Sequence, residues 1–423
     1  MSFKLIILVV IVLGILVLTQ LVRVYELSSK LRNRREEDIS NKDNRLNGNL
    51  MLAFMICLYI AFIWLMLKFG WTGRGDSASF GGDQTDWLLN LNFIIIITVF
   101  FLTNTLLFYF TYKYVRKTGV KAYYFAHDNK LELIWTVIPA IVLAVIIILG
   151  LRTWSGITSD SGKEAIKIEL FSKQFDWTVR YSGEDNKLGY FDYKLTTQEN
   201  ELALLTTATI DSAIRMMEYG KADGTVLGIQ LLEEKLNNPK NIFIPEEKEK
   251  MEIDLDRKTR LLRLLIQMRA HHKKNLDKQA YDDIIQKDTL HLCVNKEYEM
   301  SFRSKDVIHS AYFPHFRAQM NTVPGLVTRL KMTPKYTTKE MRDKMKNPKF
   351  NYILMCNKIC GGAHYKMKMI VVVDTPTQYK AWLKSKTKFK DQFLAKPAIT
   401  DSTTILEVTT TDLKLKDSVR VIN

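Results

Sequence analysis

The chain has 423 residues, of which 47% are hydrophobic, and it carries a formal net charge of +16. A positive charge of this size is typical of nucleic-acid-binding proteins, but membrane proteins also gather Lys and Arg on their cytoplasmic loops. No nucleic-acid-binding motif accompanies the charge, which argues against a nucleic-acid partner. The four cysteines are too few for a disulfide framework in a chain of this length.

Four apolar segments of about 20 residues precede residue 152, and each is long enough to cross a bilayer as a helix. They cover residues 3–22, 46–67, 88–110 and 131–151. The first segment lacks a small-residue cleavage site, which favours a retained span over a cleaved signal peptide. The sequence therefore predicts four transmembrane helices, the first within residues 1–45, the next two within 46–112 and the last within 125–154.

Charge in the loops between these segments predicts their orientation. Residues 23–49 hold seven Lys and Arg, and Lys113, Arg116, Lys117 and Lys121 follow the third segment. The loop of residues 69–87 instead has one Arg against three Asp. Because positively charged loops remain in the cytoplasm, the basic loop of residues 23–49 and the basic loop after the third segment are predicted to be cytoplasmic. The loop of residues 69–87 and everything after residue 154 are predicted to lie outside.

The outer part, residues 160–385, is predicted to be a β-domain with a helical insertion. Apolar residues alternate over residues 165–181, and strand-like segments resume from residue 289 onwards. Between them, residues 206–288 show helical periodicity with dense charge. The adjacent His271 and His272 in this insertion are predicted to be solvated. A tail, residues 386–423, completes the chain and is predicted to be loosely ordered after Pro397.

Two thiols, an imidazole and a thioether fall within the short segment CNKICGGAHYKM, as Cys356, Cys360, His364 and Met367. Thiolate and thioether ligands select soft metals, and a methionine favours a copper redox site over zinc. The alternatives are a zinc loop and a disulfide in an oxidising compartment. A centre with two copper ions needs a second imidazole, and His309 in the segment DVIHSAYFP is a candidate.

These segments resemble the copper-binding region of cytochrome c oxidase subunit II. The family pattern is a His-Ser turn, then Val-Pro-Gly, then C-x3-C-x3-H-x2-M, and this chain has all three parts in that order. The resemblance implies a cupredoxin-like β-sandwich or barrel with a binuclear copper centre, CuA. The implied ligands are the bridging thiolates Cys356 and Cys360, the terminal imidazoles His309 and His364, the axial Met367 and the backbone carbonyl of Lys358.

Two further segments extend the resemblance. The sequence ELIWTVIPA, which begins at Glu132, is similar to the family's Glu-x-x-Trp-Thr-x-x-Pro-Ala. It implies that Glu132 marks the entrance of a proton channel, and the alternative is an ordinary interfacial carboxylate. The sequence KQFDW is similar to the family's aromatic patch that receives electrons, with Phe175 in place of the usual tryptophan and with Trp177 retained.

The resemblance implies a bacterial oxidase subunit in the inner membrane, with its copper domain on the periplasmic side. Such a subunit accepts electrons from a c-type cytochrome and passes them to haem in subunit I, where oxygen is reduced to water and protons are pumped. The haems would belong to the partner, and subunit I, other oxidase subunits and lipid would surround the chain. The rival interpretations are a membrane-tethered copper- or zinc-binding module and a quinol oxidase subunit, which lacks the copper ligands.

The chain departs from the family pattern at several points. Lys358 stands where many members have a glutamate that reaches magnesium, which argues against a conventional magnesium site that draws on this chain. The family commonly has two spans and a short link, so two of the four predicted spans and the long insertion are additions to the family pattern. Basic residues surround the copper motifs, whereas soluble cytochrome c usually docks on an acidic face. We therefore hypothesise an acidic donor cytochrome, or one fixed in a larger respiratory assembly, that contacts residues 206–288.

Overall fold

A computed structural model describes residues 3–31, 39–70, 74–221 and 224–394. The chain divides into two compact units. The first consists of Met1–Gly75 and Trp87–Gly150, and the second of Asp76–Asp86 and Leu151–Asn423. The predictions for the tail beyond residue 394 and for the basic residues at 32–38 fall outside the described residues.

The first unit is helical. Its helices are α1 (Phe3–Leu31), α2 (Asn41–Leu65, continued by a π-helical turn over Met66–Gly70), α3 (Phe80–Lys113) and α4 (Asn129–Thr158), of which the last two extend into the second unit. Three segments are long and apolar enough to cross a membrane, namely Asn41–Gly70, Phe80–Lys113 and Asn129–Thr158. They correspond to the predicted second, third and fourth spans. The predicted first span folds as α1, but several of its side chains fall outside the described residues, and α1 is not among the three candidates.

The second unit is built on two five-stranded sheets, whose strand orders are β3-β2-β1-β5-β8 and β4-β10-β9-β6-β7. The strands are β1 (Ile166–Lys173), β2 (Asp176–Tyr181), β3 (Ile284–Gln286), β4 (Thr289–Cys293), β5 (Tyr298–Ser304), β6 (His309–Phe313), β7 (Ala318–Thr322), β8 (Thr328–Met332), β9 (Tyr352–Cys356) and β10 (Lys368–Asp374). Fully buried apolar side chains from both sheets, such as Leu170, Phe302 and Leu354, form one core. Burial alternates along β9, as expected for a strand with one face in the core.

The stretch between β2 and β3 contains four helices with a small apolar core of their own. They are α5 (Thr207–Tyr219), α6 (Ile229–Asn237), α7 (Pro245–His271) and α8 (Asp277–Tyr281). Three further helices lie after β8 in the described residues, α9 (Thr338–Lys344), α10 (Pro376–Lys384) and α11 (Phe389–Leu394). Leu195, Ile210 and Leu265 are fully buried in the helical core. The prediction that His272 is solvated is wrong, because its side chain is 2% exposed and its Nε2 lies 2.5 Å from Asp277 Oδ1.

A buried ion cluster joins this helical region to the first sheet. Arg180 on β2 donates to Glu169 on β1 (2.7 Å) and to Asp283 beside β3 (2.8 Å). Arg303 on β5 also binds Glu169 and donates to the carbonyl of Leu202 (3.0 Å). Burial alone would raise the pKa of Glu169, but the two guanidinium groups outweigh it and lower that pKa to about 2.

The segment Asp76–Asp86, which contains the start of α3, packs on the same β-domain. Ala78 is fully buried in the core, and its backbone N–H donates to the carbonyl of His315 (2.7 Å). Two ion pairs flank this contact, Asp83 with Lys335 (2.6 Å) and Asp86 with Arg317 (3.0 Å). This loop and the β-domain therefore form one structural unit.

Candidate metal centre

Strand pairing brings the two separate parts of the candidate site together. His309 is the first residue of β6 and Cys356 is the last residue of β9, and these strands pair antiparallel with Ala311 opposite Cys356. The loop after β9 carries Cys360 and His364, and the backbone N–H of Cys356 donates to the carbonyl of Met367 (3.0 Å). The strand pairing and this hydrogen bond therefore hold the first and last residues of the ligand loop at the edge of the sheet.

The six predicted ligand groups form one cluster with the two thiols at its centre. The sulfurs of Cys356 and Cys360 are 3.8 Å apart and unbonded, far beyond the roughly 2.05 Å of a disulfide. Cys356 Sγ lies 3.9 Å from His309 Nδ1 and 3.1 Å from the carbonyl oxygen of Lys358. Cys360 Sγ lies 3.5 Å from His364 Nδ1 and 3.9 Å from Met367 Sδ. Each thiol therefore has one imidazole and one weaker donor beside it.

The chemistry of this donor set fits a soft cation. The ligand atoms of His309, Cys356 and Cys360 all lie within 4.8 Å of one another, close enough to hold a metal ion. Burial, together with the hydrogen bond and charge of Cys356, raises the pKa of the Cys360 thiol to about 11. The thiolate form therefore needs a nearby positive charge, which a bound metal supplies. Soft sulfur ligands with imidazole suit copper.

A second layer of polar groups holds His309 in place. Asp306 Oδ1 lies 2.9 Å from His309 Nε2, which leaves Nδ1 directed at Cys356. The other carboxylate oxygen of Asp306 accepts a hydrogen bond from the backbone N–H of Gln174 (2.7 Å). Burial opposes ionisation of Asp306, but the Gln174 amide and His309 hold the pKa of the carboxyl below its ordinary value. The side-chain amide of Gln174 in turn donates to the carbonyl of Cys360.

The contacts of Asp306 and Gln174 were not predicted from the sequence. Asp306 lies three residues before His309, a spacing at which an aspartate side chain often bonds locally, and this was the one available signal. Gln174 contacts a residue 186 positions away, and no local pattern indicates such a contact.

The two predicted electron-accepting aromatic residues both contact the cluster. Trp177 is 1% exposed, and its ring centroid lies 6.3 Å from that of the His309 imidazole in an edge-on arrangement. Phe175 is half-buried and packs against the ligand loop, because a Cβ added to Gly361 would lie only 2.9 Å from Phe175 Cζ. Trp177 is therefore an interior neighbour of a ligand, and Phe175 is the partly exposed member of the pair.

Glu132 belongs to the other unit. It lies in the first turn of α4, is exposed, and has Oε1 3.7 Å from His127 Nδ1. The side chain of Lys358 is also exposed, and only its backbone carbonyl faces the cluster.

Three candidate membrane spans and a β-domain with a cluster of soft-metal ligands define a class of membrane-anchored proteins with a candidate redox-metal site. Residues 70–153 match the family model "Cytochrome C oxidase subunit II, transmembrane domain". The alternative cytochrome c oxidase subunit 2 of Bradyrhizobium diazoefficiens is 24% identical over 302 residues, which is 71% of this chain and 79% of that protein. These matches make the chain a distant homologue of cytochrome c oxidase subunit II, in agreement with the resemblance found in the sequence.

Other relatives are similarly distant. Cytochrome c oxidase subunit 2 of Cereibacter sphaeroides is 23% identical over 319 residues, covering 74% of this chain and 80% of the relative. That of Thermostichus vulcanus is 33% identical over 94 residues, covering 22% and 24%. Among solved structures, the periplasmic domain of subunit II of cytochrome oxidase from Bradyrhizobium japonicum is similar with a TM-score of 0.25 and 14% identity, covering 53% of this chain and 94% of that domain.

Proposed function

We propose that this chain is the electron-transfer subunit of its oxidase, with a binuclear copper centre of the CuA type. Cys356 and Cys360 would bridge two copper ions, His309 and His364 would bind as terminal ligands, and Met367 and the Lys358 carbonyl would complete the set. The observation that carries this proposal is the pair of thiols 3.8 Å apart, each with one imidazole and one weaker donor beside it. When bound, such a centre supplies one-electron transfer with little rearrangement of its ligands.

The surrounding residues would receive, orient and deliver the electron. The chain accepts electrons from a c-type cytochrome through Phe175 and passes them to haem in subunit I, where oxygen is reduced to water with proton pumping. Trp177 lies edge-on to the buried His309 imidazole, and Asp306 would favour the tautomer in which Nδ1 faces the metal site. Glu132 would act at the entrance of the proton path.

The membrane arrangement follows from the loops and their charges. We propose four spans in a bacterial inner membrane and a cupredoxin-like domain on the periplasmic side. The charge of residues 69–87 predicts that this segment is outside, and its residues 76–86, which include the start of α3, pack on the β-domain. The loop charge and this packing both support an outer position for the β-domain. Subunit I, other oxidase subunits and lipid would complete the surroundings.

Copper binding can be tested on the purified complex. Absorption and EPR spectra are expected to report one unpaired electron shared by two equivalent copper ions. Cys356→Ser and Cys360→Ser should each abolish or convert that spectrum. Cys293→Ser provides a matched control, since Cys293 is also buried and free but lies outside the ligand cluster. A single-copper spectrum, or a silent spectrum with stoichiometric zinc, would overturn the proposal and favour a membrane-tethered metal-binding module. A quinol oxidase role is disfavoured by the intact ligand set.

A further inference from the structure

Three lysine side chains converge on one carboxylate beside the candidate metal centre. Lys287 Nζ lies 2.8 Å from Glu201 Oε2, Lys305 Nζ lies 3.9 Å from Glu201 Oε1, and Lys173 also binds Oε1. The lysine side chains are 29 to 48% exposed, whereas that of Glu201 is 14% exposed. The ammonium groups thus reach solvent above a carboxylate that is largely covered. These four residues together carry a net charge of +2, and the neighbouring acids are Asp176, which lies opposite Lys173 in the pairing of β1 with β2, Asp288 and Asp306.

The lysine patch adjoins the residues that contact the metal ligands. Lys173 is the last residue of β1, and the turn that follows it contains Phe175. Lys305 directly precedes Asp306, and its backbone N–H donates to the carbonyl of Ser172 (2.9 Å). Lys287 follows β3, where the chain leaves the helical insertion. The patch therefore lies where the turn that contains Phe175 meets the C-terminal end of the helical insertion.

The charge of this surface selects its partner. One ion pair satisfies a carboxylate, and further lysines around the same group repel one another at short range. The ligand loop adds no compensating acid, because residues 351–373 contain Lys358, Lys366 and Lys368 but no Asp or Glu. A positive surface attracts an acidic protein and repels a basic one, and this difference appears mainly in the association rate.

We propose that Lys173, Lys287 and Lys305 form the docking patch for an acidic electron-donor protein, which approaches Phe175 across it. The inference rests on the proposed electron-transfer function and adds the charge and position of the donor's contact surface. Carboxylates of the donor would pair with the exposed ammonium groups. Glu201 would then act as the internal counter-charge that holds the three lysines together before docking.

The test measures the second-order rate of copper reduction in the intact oxidase complex. The donors are two soluble c-type cytochromes, one acidic and one basic. In the double variant Lys287→Glu and Lys305→Glu, the rate with the acidic cytochrome should fall about tenfold or more at low ionic strength, and the loss should shrink as salt is added. Glu201→Gln raises the net charge of the patch and should increase the same rate, so the prediction does not depend on a loss of function.

The matched control is Lys163→Glu. Lys163 is exposed and precedes the other end of β1, so it lies about 25 Å from the patch at 3.3 Å per strand residue. An equal loss in the control, an unchanged rate in the double variant, or faster reduction of the wild type by the basic cytochrome would each overturn the docking patch. These outcomes count against the patch alone when the two-copper spectrum is intact, whereas absence of that spectrum in the wild type overturns the proposed function as well.

Discussion

Removal of the Asp306 carboxylate should weaken copper binding without unfolding the domain. Asp306→Ala deletes the group 2.9 Å from His309 Nε2 and the acceptor for the backbone N–H groups of Gln174 and Val307, both at 2.7 Å. His309 is fully buried, and the substitution removes the acceptor that faces its Nε2. Loss of a group that orients a histidine ligand typically costs about 10- to 100-fold in metal affinity, or about 1.4 to 2.8 kcal/mol.

The assay is a competition titration of copper against a chelator of known affinity, with the absorption spectrum as readout. Asp306→Asn should lose less than Asp306→Ala, since the amide oxygen can still accept from His309. Asp288→Ala, at an exposed aspartate just before β4, should behave as the wild type. Copper affinity and spectrum unchanged in Asp306→Ala would refute the conclusion that this carboxylate positions the ligand.

Three further predictions follow from the contacts described above. Gly361→Ala should displace Phe175, because the backbone φ of Gly361 is +139° and the new Cβ would contact the Phe175 ring. Reduction by the donor should then slow severalfold in stopped-flow measurements. The control is Gly362→Ala, whose Cβ would face open space and should leave the reduction rate unchanged. Glu132→Ala should slow proton-coupled oxygen reduction while the copper spectrum stays intact, and unchanged turnover would remove Glu132 from the proton path. The lowered pKa of Glu169, about 2 against 4.5, gives about 3 kcal/mol of stability that is present above pH 4.5 and lost as pH falls towards 2. Acid unfolding followed by tryptophan fluorescence should show this loss in the wild type and not in Glu169→Gln.

Features that depend on local composition could be predicted from the sequence. A helix that crosses a bilayer must be apolar over about 20 residues whatever its neighbours are, so hydropathy located the three candidate spans. Ligand spacing is also local within one loop, which is why the segment from Cys356 to Met367 indicated a soft-metal site. The family followed from joining this loop with the His309 segment.

Features that depend on distant contacts could not be predicted. His272 has the same charged neighbours as His271, yet Asp277 satisfies its imidazole inside the helical core, and only the packing of that core decides which histidine is buried. The lysine patch likewise joins Glu201 to residues up to 104 positions away, here Lys305. Sequence analysis noted basic residues near the copper motifs, but it could not identify which ones meet at one surface.

Buried polar contacts join the helical insertion to the sheet beside Phe175 and Trp177. Its two ends are tied to this sheet by buried polar contacts, Leu202 through Arg303 and Asp283 through Arg180. Of these contacts, Arg180–Asp283 is a buried ion pair, and removing one partner of such a pair typically costs about 3 to 5 kcal/mol. Arg303 lies two residues before Lys305 on the same stretch of chain. These contacts therefore join the insertion to the stretch of chain that carries Lys305, one of the three lysines of the proposed docking patch.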